Sequence, residues 1–166
     1  MSNMDSEVGQ RPRDAAFKAR MIRVAVAVTV LATAHFADHV IRGRLVHSRG
    51  LDPAWNHSGW PFEDRVSPFT VSLVVVYGLL LTGIALTRRG RLWAGYWLAT
   101  AVVLGGIVTF VHFLGSRAET PAVILASYDS PAAGIPAVVI TFAILLGLIV
   151  MALTAIDAAR RSRRWW

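Results

Sequence analysis

The chain has 166 residues, 55% of them apolar and 16% charged, with a mean hydropathy of +0.52; a soluble domain of this size sits nearer about 45–50% apolar and about 25% charged. The excess is gathered in four blocks, each close to the ~20 residues that cross a bilayer's hydrocarbon core, so the composition excludes an ordinary soluble enzyme. The absence of cysteine excludes disulfides and thiolate metal sites, and the placement of the +7 net charge argues for membrane topology rather than nucleic-acid binding.

Residues 1–20 are polar and basic, and predict a flexible cytoplasmic arm that turns helical near Ala15. The first span is expected at about 21–42, with His35, Asp38 and His39 interrupting its last two turns. A connection follows over 43–66, carrying His47, Trp55, His57, Trp60, Pro61 and Phe62. Connections this long are uncommon unless functional or disordered, and disordered segments lack such aromatics. The segment is therefore expected to fold over the bundle mouth as a lid, bringing His57, Glu63 or Asp64 towards His35 and Asp38; the bland alternative is an interfacial segment anchored by Trp55 and Trp60. The second span, about 68–87, opens on Pro68, where a missing N–H costs least. Arg88, Arg89, Gly90 and Arg91 form a tight basic turn before the third span, about 92–114. The loop 115–130 holds an apolar stretch at 122–125 that is too short to span. A fourth span at about 135–156 and a basic tail, 159–166, complete the chain. The expected fold is all-α: an up-down bundle of four transmembrane helices within residues 21–158.

Of the seventeen Lys and Arg residues, twelve lie on the arm, the central turn and the tail. The other five, Arg42, Arg44, Arg49, Arg65 and Arg117, lie at the opposite ends of the spans. The positive-inside rule then puts both termini in the cytoplasm and both long connections outside. Only Lys18 is lysine, a bias typical of GC-rich bacterial genomes, which predicts a bacterial inner membrane. A competing reading takes Ala32-Thr33-Ala34 as a signal-peptide cleavage site that would leave His35 as a new N-terminus; the apolar character running on through Phe36, Val40 and Ile41 opposes it.

All five histidines fall on the outer side in this topology, as does Asp38, the one acidic residue of the first three spans. At 100° per residue His35, Asp38, His39 and Arg42 share one arc of the first helix, above an apolar face through Leu31, Val28 and Val24. On the third span Ala94, Ala101, Gly105, Thr109, His112 and Ser116 form a row of mostly small residues. Gly78, Thr82 and Ala85 on the second, and Ala143, Gly147 and Thr154 on the fourth, suggest matching rows for close helix approach.

Three readings compete for this constellation. His35 and His39 at i, i+4, with His112 and Asp38, suit a zinc, copper or iron ion, Arg42 acting as charge partner of Asp38; His112 facing His35 or His39 would alternatively suit haem. Glu63 or Asp64 is the nearest candidate base if the protein is an enzyme, which nothing in the sequence requires. In the second reading the histidines are structural, Asp38 and Arg42 simply pair at the helix end, and the protein is an accessory subunit of a larger membrane complex. The third is a small proton-coupled transporter working as an oligomer, with Asp38 exchanging protons. The expected partners are the lipid bilayer and a second copy or a larger complex, not nucleic acid.

Overall fold

The computed structural model describes residues 4–50, 66, 68–91, 93–114 and 118–161. Every regular element among them is helical: α1 (Met4–Ser48), α2 (Pro68–Arg88), α3 (Ala94–Phe113), α4 (Pro121–Ala126) and α5 (Pro131–Arg161). Four helices are long and apolar enough to cross a membrane, within Ala15–Gly43, Phe69–Arg88, Ala94–Phe113 and Pro131–Arg161. Large aliphatic side chains such as Val74, Val102, Leu146 and Leu153 stand exposed on their outer faces. A water-soluble monomer rarely shows so extensive an apolar surface, and lipid is the solvent that suits it. The chain is built as a multi-pass membrane protein.

Local chemistry sets the helix ends. After α2, Gly90 adopts φ +82°, its N–H bonds to the Thr87 carbonyl at 3.0 Å, and the Arg91 N–H reaches back to Leu86 at 2.9 Å. This paired pattern satisfies carbonyls that the helix leaves orphaned, and it needs a residue that tolerates the left-handed region. Thr120 caps α4, its side chain accepting from the Val123 N–H, with Pro121 in the first turn. α1 runs as one helix from Met4 through the expected first span and beyond it to Ser48.

The core is a seam of stripes spaced alternately three and four residues apart, the signature of left-handed helix packing. On α1 the buried positions include Met21, Ala25, Val28, Ala32, His35, His39 and Arg42. On α5 they include Ala137, Thr141, Ile144, Leu148, Met151, Ala155 and Ala158. α5 lies along both α1 and α3, α2 leans chiefly on α1, and α4 packs on α5. Arg161 of α5 sits over the Phe17 ring of α1 at 5.6 Å, whereas at the far end Arg49, beyond α1, pairs with Asp129, just before α5, at 2.5 Å.

The predicted small-residue rows fare differently. Gly147 does bring α1 close: a Cβ there would lie 2.6 Å from Val28 Cγ2. The row Gly78, Thr82 and Ala85 is instead exposed, and α2 turns Leu80, Gly83, Ile84 and Thr87 inward. Small residues permit close approach but do not demand it. The α1 face also differs slightly from the expected one, since Val24 and Leu31 flank the buried stripe rather than form it. Gly147→Ala is therefore expected to cost about 1–3 kcal/mol through overpacking against the stiff Val28. Gly78→Ala, with nothing within 4 Å of the new Cβ, should gain roughly 0.5–1 kcal/mol from helix propensity. Denaturation of the two variants in detergent, side by side, checks the opposite signs.

Candidate metal centre

The buried stripe of α1 is aliphatic up to Ala32, and then the same seam continues with His35, His39 and Arg42. Imidazole and guanidinium thus occupy positions where packing alone would place another Ala or Val. Burying such groups is costly unless each finds a partner, so the rest of the site is legible as the set of partners they find.

α3 supplies the first. His112, in its last turn, is 1% exposed and brings Nε2 to 3.3 Å from His35 Nε2. His35 Nε2 is also 3.1 Å from His39 Nε2. One donor atom from each of the three rings lies within 4.8 Å of the others, so the group can hold a metal ion. The meeting of His112 with the first span, a geometric possibility from the sequence, is present in the structure.

Glu119 supplies the second, from a connection that helical periodicity does not reach. Its side chain is fully buried, with Oε1 accepting from Arg42 Nη1 at 2.6 Å and Oε2 lying 3.2 Å from His39 Nε2. Its backbone is pinned as firmly. The Glu119 N–H donates to the Val111 carbonyl at 2.8 Å, holding Glu119 against α3. The Glu119 carbonyl lies 2.9 Å from His112 Nδ1. A carbonyl can only accept, so Nδ1 carries the proton and the neutral ring offers its Nε2 lone pair to the cluster. One signal in the sequence could have marked this residue: Glu119 is the only acidic residue between Asp64 and Asp129, and it stands immediately before the Thr-Pro start of α4.

Asp38, expected as a ligand or as orienter of an imidazole, is held elsewhere. Its Oδ2 accepts from Arg42 Nε at 3.0 Å, and its Oδ1 from the Tyr128 hydroxyl. The Asp38–Arg42 pairing is the expected one, and Tyr128 joins it from the turn after α4. That turn is brought close by Gly134, where a Cβ would meet Tyr128 Cδ2 at 2.9 Å and the Leu125 Cα at 3.0 Å. Arg42 thus bridges two carboxylates, one on its own helix and one 77 residues onward. Two carboxylates against one guanidinium leave one formal negative charge beside three imidazoles. His57, Glu63 and Asp64 lie outside the described residues; His47 lies within α1.

What can such a cluster do? A neutral imidazole nitrogen is either a donor or an acceptor, so three that converge on one point cannot all satisfy one another. A cation at that point accepts all three lone pairs. Bonds of about 2.0–2.1 Å in a tetrahedral site put donor atoms about 3.3–3.4 Å apart. The two separations from His35, 3.1 and 3.3 Å, fall close to that edge length, and the third, between His39 and His112, is within 4.8 Å. No protein-family model, curated protein or solved structure matches the chain, so the reading rests on this geometry.

Proposed function

We propose that the protein is a multi-pass bacterial inner-membrane protein holding one transition-metal ion at the outer end of its bundle, with both termini in the cytoplasm. His35, His39 and His112 are the ligands, and Glu119 Oε2 completes or closely supports the set. The carrying observation is the convergence of three buried imidazole nitrogens, one of them with its tautomer fixed by a backbone carbonyl. That carbonyl contact is the outer-shell support a metal-bound histidine commonly has. The surplus negative charge of Asp38, Arg42 and Glu119 favours a divalent cation over an empty cluster. Imidazole with carboxylate suits zinc, copper or iron.

A bare ion fits better than haem. His35 and His39 lie on one face of one helix and cannot flank a porphyrin, and two axial ligands at about 2 Å from iron would stand about 4 Å apart rather than 3.3 Å. Proton-coupled transport has little support, because the α1 seam below His35 is Ala32, Val28, Ala25 and Met21, none of which carries a titratable group. The accessory-subunit reading treats the same contacts as a structural polar plug, and metal content separates it from the favoured one.

The test is metal analysis by mass spectrometry with an absorption spectrum, on detergent-purified, tag-free protein beside the triple variant His35→Ala, His39→Ala, His112→Ala. Near-stoichiometric metal without a haem band, lost in the variant, is the expected result. Careful preparations without metal would sink the proposal and leave the histidines as structural anchors. Because protons compete for the same lone pairs, acidification should release the ion, and retention in the acid range would contradict imidazole ligation.

A further inference from the structure

The three imidazoles are not sealed from every side. A half-open cleft of about 60 Å³, room for a head group and its first carbons rather than for a whole small molecule, ends on them. Its walls are Phe36 from α1, Phe69, Ser72 and Val76 from α2, and Val108 and Val111 from α3. The way the helices lean explains why it exists. At the turn between α2 and α3 the two are tied together: Trp97 Nε1 donates to Thr87 Oγ1 at 3.0 Å, and the Tyr96 hydroxyl to the Leu79 carbonyl at 2.6 Å. At the other end α2 leans on α1, with Phe69 packed against Phe36 and His39 at 5.3 Å from each, while Phe113 at the end of α3 packs on Phe142 of α5. The helices therefore part towards the histidine end, and the cleft lies between α2 and α3.

From this we infer that the cleft admits the head of a single-chain lipid directly from the bilayer, its neutral oxygen (a fatty alcohol or aldehyde) meeting the imidazoles and its chain running out between α2 and α3. The wall is aliphatic and aromatic over the two turns from Phe69 to Val76, about 10 Å of helix rise, which suits methylenes. The polar groups at the cleft are the imidazoles and the Ser72 hydroxyl, which can exchange hydrogen bonds with a neutral oxygen. Among the described residues no cationic side chain lines it, and Arg42 is fully buried behind Glu119, so an anionic head would find no counter-charge on the described wall. The inference deepens the metal-centre reading, which supplies the group that would bind the head, but seating of the chain does not require the ion.

The experiment uses full-length protein in lipid nanodiscs with hexadecanol carrying a mid-chain diazirine, followed by photolysis and peptide mapping. Adducts should concentrate on Phe69, Val76 and Val108 over the lipid-exposed Val139, Leu146 and Leu153 of α5. They should be lost with excess unlabelled hexadecanol and in Val108→Trp, which fills the cleft, but retained in Val74→Trp, which points away from it. Equal labelling of the cleft and α5 residues in the wild type, or labelling that hexadecanol does not displace, would overturn the inference without relying on any variant. Metal content measured on the same samples keeps the two readings apart: cleft labelling in metal-free protein removes the metal proposal alone, and metal without cleft labelling removes the lipid inference alone.

Discussion

Arg42→Met should destabilise the protein by about 3–5 kcal/mol, the range seen when one partner of a buried ion pair is removed. Glu119 is fully buried and Asp38 largely so; without the guanidinium both carboxylates lose the side-chain cation that they share. The triple variant Asp38→Asn, Arg42→Met, Glu119→Gln removes all three charges together and should recover much of that loss, since neutral groups of similar shape avoid the desolvation cost of unpaired charge. Detergent unfolding of the single and triple variants measures the difference as a coupling among groups in contact. If Arg42→Met alone costs about 1 kcal/mol or less, as a solvated surface pair would, the buried bridge is not an element of stability.

The two carboxylates should separate cleanly in metal binding. Glu119→Gln keeps the shape of the side chain and an oxygen for Arg42, yet it removes the carboxylate beside His39, and metal affinity should fall about 10–100-fold or more. Asp38→Asn touches only the far side of Arg42 and should leave affinity nearly unchanged. Competitive titration against a chelator at fixed pH gives both values. A large loss in Asp38→Asn with little change in Glu119→Gln would reverse the assignment and return Asp38 to the ligand set.

The contrast between these residues shows where sequence reasoning reaches and where it stops. His35, Asp38, His39 and Arg42 are legible together because helical periodicity puts them on one arc, and the Asp38–Arg42 pair follows from i, i+4 spacing alone. The four spans are legible because apolar length is set by bilayer thickness. Periodicity gives faces and not neighbours, so the row containing His112 identifies a helix face without saying that His35 waits opposite. The inward turn of Leu80 and Ile84 in place of Gly78 and Thr82 is unreadable for the same reason. Glu119 escapes more completely: it stands in a connection with no period, and its importance comes from a backbone hydrogen bond to Val111 that holds it against α3. Tyr128 likewise reaches Asp38 only because α4 and Gly134 set the approach.

The double engagement of Arg42 also bears on how the chain is made. Glu119 lies 77 residues downstream, so at a synthesis rate of about 5–20 residues per second it emerges roughly 4–15 s after Arg42. During that interval two further apolar segments must be produced before the later partner exists. Asp38, only four residues away on the same helix, is present from the start. The local pair is thus available to neutralise the guanidinium before the distant carboxylate exists to complete its burial.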